Sequence, residues 1–253
     1  MHLILTGATG LVGTAVLDAM IKCKDITKIS VLSRRPVKFN DDRINVIMHK
    51  DFASYDKDLL GKLQGAQACV WALGISQAQV SKEEYITITK TYPIAAAKAF
   101  QSLASGTENN QPFHFVYVSG DGATFTPGCL TPFFGRVKGE TELALAEMQK
   151  SDPSTLRATT VRPGFVDWTG HAEIKPFLPE FGAFRSMAGS IMSPIMRHVA
   201  KSKWSPTEPL GKFLVGMAMG VWDNALDGQG VERLPGGFTV VENTGLRRLM
   251  GLD

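Results

Sequence analysis

The sequence predicts an α/β protein: a doubly wound parallel sheet with a small irregular and helical C-terminal flap. Three observations predict it. Short apolar runs alternate with helical patterns through the first 160 residues. Runs such as FVYV are apolar almost throughout, as strands buried on both faces are. A glycine-rich turn joins the first run to the first helical pattern, and crossovers of this length make successive strands pair in parallel.

Taken in order, strands are expected at His2–Thr6, Lys28–Leu32, Asn45–Met48, Ala68–Trp71, Phe113–Val118 and Ala158–Val161, each short, apolar and often β-branched. Helices are expected at Leu11–Lys22, Lys82–Leu103 and Thr131–Lys150, where apolar residues recur at helical spacing. The rhythm breaks after Val161. From Gly164 to Pro209 five prolines accompany Phe165, Trp168, Phe177, Phe181, Phe184, Met187, Met192 and Met196, with no clean strand pattern. That stretch reads as a lid or as a helical flap filling the edge of the core. A helix over Pro206–Trp222 with Thr207 as its cap, and a short one near Thr244–Met250, complete the chain. The whole is expected to be one domain, residues 1–163 forming a core and 164–253 the flap and closing elements.

Composition excludes several functions. The 253 residues are 44% hydrophobic and 20% charged, enough for a substantial core. A net charge of +3, from 27 basic and 24 acidic residues, is too slight to mark a nucleic-acid or anionic-membrane partner. Cys23, Cys69 and Cys129 show no CxxC spacing, so a reducing compartment, the cytoplasm, is expected rather than disulfides or thiolate zinc. The longest uncharged apolar run, Phe213–Trp222, is about half of the roughly 20 residues a membrane span needs. No basic region or cleavage site precedes the first strand, so no signal peptide is expected. His2, His49, His114, His171 and His198 are dispersed without HExxH, and no metal is expected. Neither GxSxG nor GxxxxGK[ST] occurs, which disfavours a hydrolase elbow and ATP chemistry. An apolar stripe of Ile191, Ile195, Met196 and Val199 beside Arg197, His198, Lys201 and Lys203 fits a flap over a cavity better than a membrane surface.

The strongest chemical signal is TGATGLVG. Gly7 permits the tight turn, Gly10 lets the backbone approach a pyrophosphate, and Gly13 lets helix pack close to strand. Thr9, Leu11 and Val12 fill the turn and present helix N–H groups to the anion. Residues 1–163 are therefore expected to bind a dinucleotide. The second strand runs into Arg34 and Arg35, where an NAD site would offer an acid to the ribose hydroxyls. A guanidinium grips a ribose phosphate through paired, charge-assisted hydrogen bonds, so NADP(H) is the expected cofactor, with Arg34 ahead of Arg35. Asp51 and Phe52, after the third strand, and Ala72, Leu73 and Gly74, after the fourth, lie at the strand ends where open α/β sheets bind ligands.

Through TGATGLVG, LSRRP, WALG, FVYVSGDGA, GRVKGETE and VRPGF the chain resembles the short-chain dehydrogenase/reductase superfamily, in its atypical, NAD(P)-binding, Tat-interacting-protein-like branch. The resemblance weakens beyond Val166. It implies a Rossmann fold and carbonyl or alcohol redox chemistry by a Ser, Tyr and Lys set. The serine falls on Ser119 and the lysine, which also holds the nicotinamide ribose, on Lys138. The tyrosine position falls on Phe134, which keeps the ring and has no proton to give. The resemblance also carries Pro163, Gly164 and Phe165 beneath the nicotinamide.

Three functions remain open at this point: a reductase of a small, apolar carbonyl substrate with a substitute acid, a non-redox lyase, isomerase or cyclase, or a cofactor-sensing regulatory protein. The substitute acids to weigh are Tyr85, Tyr92, Tyr117, Asp121 or a water held by Lys138, although Tyr117 reads as a core residue and Asp121 as a turn former. The expected partner is a small-molecule substrate, with neither nucleic acid nor stable membrane insertion, and a homodimer stays open.

Overall fold

The computed structural model describes residues 1–106, 111–178, 193 and 196–252. Its main sheet begins with β1 (His2–Thr6), β2 (Lys28–Ser33), β3 (Ile44–Met48) and β4 (Ala68–Trp71). It continues through β5 (Phe113–Val118) and β6 (Leu156–Arg162). The order is β3-β2-β1-β4-β5-β6, all parallel, and the chain reverses direction across the sheet between β1 and β4. That reversal opens a crevice at the carboxyl ends of the strands, where such sheets bind ligands.

Strand alternation divides the core in two. Leu3 and Leu5 of β1 face a layer with Val16, Met20, Phe213 and Leu214, carried by α1 (Leu11–Lys22) and a later helix, Thr207–Ala218. Ile4 faces the other way, into a layer with Trp71, Ala97, Phe100, Phe115 and Leu145. A short α2 (Lys57–Lys62), capped by Asp56, precedes β4. On the second face lie α3 (Lys82–Ile86), α4 (Tyr92–Phe100) and α5 (Phe133–Ser151).

The single helix expected over Lys82–Leu103 is interrupted by a π turn at Thr87–Thr91. Pro93 has no N–H to return to the Thr89 carbonyl four residues earlier. That carbonyl instead accepts the Tyr117 hydroxyl at 3.2 Å and the Thr141 hydroxyl at 3.1 Å, tying the π turn to β5 and α5.

The stretch with no expected strand pattern holds β7 (Phe165–Asp167) and β8 (Trp204–Pro206), three residues each, paired in parallel. Asp167 anchors them: it accepts from Thr169, Ser193, Arg197 and the Trp204 indole. Burial raises its pKa, but those donors outweigh burial and hold the carboxyl down at about 2. The next helix, α6 (Thr207–Ala218), is capped by Pro206 without a side-chain bond. Thr207 is thus the first helical residue rather than the cap, and its hydroxyl is engaged by buried His171 at 3.1 Å. Finally β9 (Val231–Arg233) and β10 (Thr239–Glu242) extend the main sheet beyond β6, and α7 (Asn243–Leu249) closes the chain. Residues after 163 therefore supply core strands as well as the flap. Ile191 and Ile195 of the expected apolar stripe lie outside the described residues.

Candidate active site

Gly7 adopts φ +74, and a Cβ there would stand 2.4 Å from the Ala72 carbonyl oxygen, so the turn after β1 requires glycine on both counts. Gly10 returns its N–H to the Gly7 carbonyl at 2.8 Å and begins α1 without a side-chain cap. The first turn of α1 carries no acidic residue. Its N–H groups therefore meet the crevice with uncompensated partial positive charge, as an anion site requires.

Gly7, Thr9, Gly10, Leu11, Val12, Arg34, Arg35, Ala72, Leu73, Gly74, Ser119 and Lys138 come together around one groove of about 590 Å³. Arg34 and Arg35 are exposed at one end, Arg35 reaching the Thr9 hydroxyl at 3.1 Å. Fully buried Phe52 lies behind a recess at this end, bounded by Leu32, Ser33, Arg34 and Arg35. Phe177 stacks on Phe39 with centroids 3.9 Å apart, and both rings line a second cavity together with Thr9 and Arg35. The residues fit an extended dinucleotide: small residues and bare N–H groups at mid-groove, guanidiniums for a phosphate at one end, Ser119 and Lys138 at the other.

Five expected cofactor residues fall outside the groove lining: Phe52, which lies behind the recess, and Asp51, Pro163, Gly164 and Phe165. Asp51 is exposed, and its carboxylate accepts the Ala53 N–H at 3.0 Å, which makes it a turn former. The Pro163 carbonyl accepts the Asp121 N–H at 2.8 Å. Gly164 is required by β8, because a Cβ there would stand 2.2 Å from the Lys203 carbonyl oxygen, and its N–H donates to Ser205 at 2.8 Å. Phe165 pairs with Trp204 in the small sheet.

At the Ser119 end, β5 ends in a turn that lays the serine beside α5. Ser119 is 5% exposed, and its Oγ has no hydrogen-bond partner among the described residues. The Lys138 ammonium donates to the Ser119 carbonyl at 2.6 Å and stands 5.8 Å over the Tyr117 ring. Burial pushes Lys138 down to about 8, opposed by Glu142 one turn further along α5. Glu142 itself is buried, held by Arg162 Nε at 3.1 Å, while another guanidinium nitrogen of Arg162 reaches Glu242 at 2.7 Å.

Phe134 precedes Lys138 by one helical turn but is not among the groove residues. Its backbone N–H donates to Gln77 at 3.0 Å, and its ring edge lies against Gly122. The substitute acids fare differently from one another. Tyr85 is buried against Phe133, Tyr92 packs on Phe52, and the Tyr117 hydroxyl is spent on the Thr89 carbonyl. Asp121 is ion-paired with Lys203 at 2.7 Å. Ile75, Ser76, Gln79, Thr89, Tyr117 and Val118 also line the groove. Of these, Ile75 and Ser76 directly follow the WALG strand end, so that strand end is the one signal that could have found them.

Among the described residues, no helix is long and apolar enough to cross a membrane. The architecture is a Rossmann-type fold, and solved structures share it. The aldohexose dehydrogenase of Thermoplasma acidophilum, in ligand-free form, superimposes with a TM-score of 0.66 at 14% identity, covering 96% of this chain and 93% of that one. A uronate dehydrogenase variant from Agrobacterium tumefaciens, complexed with NAD, gives 0.58 at 16% identity, covering 96% and 76%. The chain has the fold of the short-chain dehydrogenases and reductases.

No family model matches the sequence. It is 46% identical over 160 residues to "Botcinic acid biosynthesis cluster B protein 16" of Botryotinia fuckeliana, covering 63% of this chain and 99% of that protein. It is 32% identical over 216 residues to "Leucinostatins biosynthesis cluster protein T" of Purpureocillium lilacinum, covering 78% and 77%. The chain belongs to the family of these two biosynthesis-cluster proteins.

Proposed function

We propose that the protein is an NADP(H)-dependent oxidoreductase that reduces a carbonyl group of a small, apolar substrate. The observation that carries this reading is one continuous groove with Arg34 and Arg35 at one end and Ser119 with Lys138 at the other. The motifs TGATGLVG, FVYVSGDGA and GRVKGETE support assigning it to the atypical, Tat-interacting-protein-like branch. Free thiols at Cys23, Cys69 and Cys129 suit the cytoplasm as its location.

In this reading Gly7, Thr9, Gly10, Leu11 and Val12 seat the pyrophosphate on the α1 N-terminus, and Arg34 and Arg35 hold the ribose phosphate. Ala72, Leu73 and Gly74 allow close approach of the nucleotide to the end of β4. A reduced nicotinamide, when bound, supplies a hydride. Ser119 Oγ, with no partner of its own, donates to the substrate oxygen and fixes which carbon faces the cofactor. Lys138 holds positive charge beside that oxygen, stabilising the charge it gains.

Calorimetric titration of the nucleotide-stripped protein with NADPH and NADH, followed by a panel of apolar aldehydes and ketones, tests the proposal. NADPH preference with turnover of one panel member is the expected result. Failure of both nucleotides to bind sinks it. Phe134, with no hydroxyl, favours a second reading: a non-redox enzyme or a cofactor-sensing protein. Phe134→Tyr separates the two, because a gain in reduction shows a redox site lacking only a better acid, and no gain across the panel favours the second reading.

A further inference from the structure

A groove that reduces a carbonyl must deliver a proton as well as a hydride, and few of its groups can release one. A guanidinium does not serve as a proton donor in proteins, and Arg34 and Arg35 lie at the far end of the groove. The Tyr117 hydroxyl is committed to the Thr89 carbonyl at 3.2 Å, and burial pushes its pKa well above the ordinary range. Serine and threonine hydroxyls, Ser119 included, orient an oxygen but do not ionise near neutrality. Both carboxylates near the site are committed: Glu142 to Arg162, Asp121 to Lys203.

Lys138 is left, and its surroundings suit the task. Lys138 is half-buried and lines the groove. One of its three N–H bonds is spent on the Ser119 carbonyl at 2.6 Å, and among the described residues the other two have no protein acceptor. Ser119 Oγ, on the same residue, is buried and unpartnered. A buried hydroxyl left so costs free energy unless a ligand completes it. Two unspent donors, one hydroxyl and one ammonium, therefore share one residue's neighbourhood at the end of the groove.

We propose that Lys138 is the proton donor of this site, giving its proton to the substrate oxygen that Ser119 Oγ holds. The assignment rests on the reductive reading above. As the carbonyl carbon gains its hydride, the C=O π pair collects on oxygen. One N–H bond of Lys138 breaks, an O–H bond forms, and the neutral amine recovers a proton from water. Desolvation, opposed by Glu142 on α5, sets the amine at about 8, with the Tyr117 ring of β5 5.8 Å from its Nζ. General acids work best when they titrate close to the operating pH.

Competitive acylation of the nucleotide-free protein with acetic anhydride, between about pH 6 and 11, reads this amine directly by mass spectrometry of the Lys138 peptide and needs no variant. Lys138 is expected to titrate near 8, as its surroundings dictate. Lys138→Arg keeps the positive charge but cannot release a proton. At saturating NADPH it is expected to reduce the carbonyl substrate roughly 10²- to 10⁴-fold more slowly, the usual worth of a general acid. Titration of Lys138 in the ordinary lysine range, or reduction by Lys138→Arg within about tenfold of the parent, overturns the assignment alone. If the parent binds no NADPH, the reductive reading falls and the assignment with it.

Discussion

Gly13 packs so closely beneath Gly7 that a Cβ on Gly13 would stand 2.0 Å from the Gly7 carbonyl oxygen. Neither side can yield: the Gly7 turn is pinned by the Gly10 N–H at 2.8 Å and backed by Ala72. Gly13→Ala is therefore expected to lower stability by about 1–3 kcal/mol, with NADPH binding lost as the turn shifts. Urea unfolding gives the first quantity and calorimetry the second. Gly74→Ala is the control, since a Cβ there meets nothing within 4 Å, and it should change stability by no more than about 0.5 kcal/mol. A Gly13→Ala chain as stable as the parent would contradict the packing.

The arginines at the other end of the groove differ in what they already hold. Arg35 donates to Thr9 at 3.1 Å, whereas Arg34 is exposed and donates to none of the protein's own acceptors among the described residues. Charge-assisted bonds to a ribose phosphate are worth about 1.5–3 kcal/mol, or roughly tenfold to a hundredfold in affinity. Arg34→Ala is expected to weaken NADPH by that factor and leave NADH nearly unchanged, with Arg35→Ala the milder of the two. Equal losses for both nucleotides would show that the guanidiniums do not read the phosphate.

How far these features were legible in the sequence follows from how local they are. The glycine turn could be read because one strand, one turn and one helix contain all of it, and Arg34 and Arg35 because they directly follow a strand. Ser119 and Lys138 came from motifs on neighbouring elements. Thr89 gave no sign, since it enters the groove through a π turn whose carbonyl is satisfied by side chains from β5 and α5. Strands β7 and β8 were hidden for a similar reason. Three residues are too few to show alternation, and the Asp167 hub that fixes them gathers partners from distant positions. Gly164 comes to the nicotinamide only through the resemblance; the constraint visible in the structure, the Lys203 carbonyl that leaves no room for a Cβ, lies far along the chain.

Burial lowers three histidines, His2, His49 and His114, and so makes the fold sensitive to acid, His2 and His114 most of all. His114 is pushed down to about 3 by burial and then by Arg157, and His2 to about 4 by burial and then by Lys28, both from 6.5. Between those values and 6.5 the unfolded chain binds more protons than the folded one. The stability from keeping each ring neutral is thus complete above about pH 6.5 and is lost as pH falls toward the folded values. Each contributes a slope of about 1.4 kcal/mol per pH unit in that window. Urea midpoints at pH 7 and pH 5 check it: the parent should weaken markedly, and His114→Gln should lose about half of that dependence. Equal midpoints at the two pH values would refute the shift.

The buried pair of Arg162 and Glu142 joins β6 to α5 immediately behind Lys138. Glu142 is fully buried and Arg162 nearly so, with the Phe125 ring 4.7 Å beneath the guanidinium. Removing one partner of a buried ion pair costs up to about 3–5 kcal/mol. Glu142→Gln keeps the shape but leaves Arg162 only the more exposed Glu242, at 2.7 Å, to offset its charge, so it should unfold at a clearly lower urea concentration than the parent. Replacing both residues by methionine removes the stranded charge, and the double variant should recover much of that loss. Glu142→Gln also removes the carboxylate that raises Lys138, so acylation of the folded variant should report an amine titrating below about 8. If the single variant were as stable as the parent, or Lys138 did not move, the coupling between this pair and the lysine would be disproved.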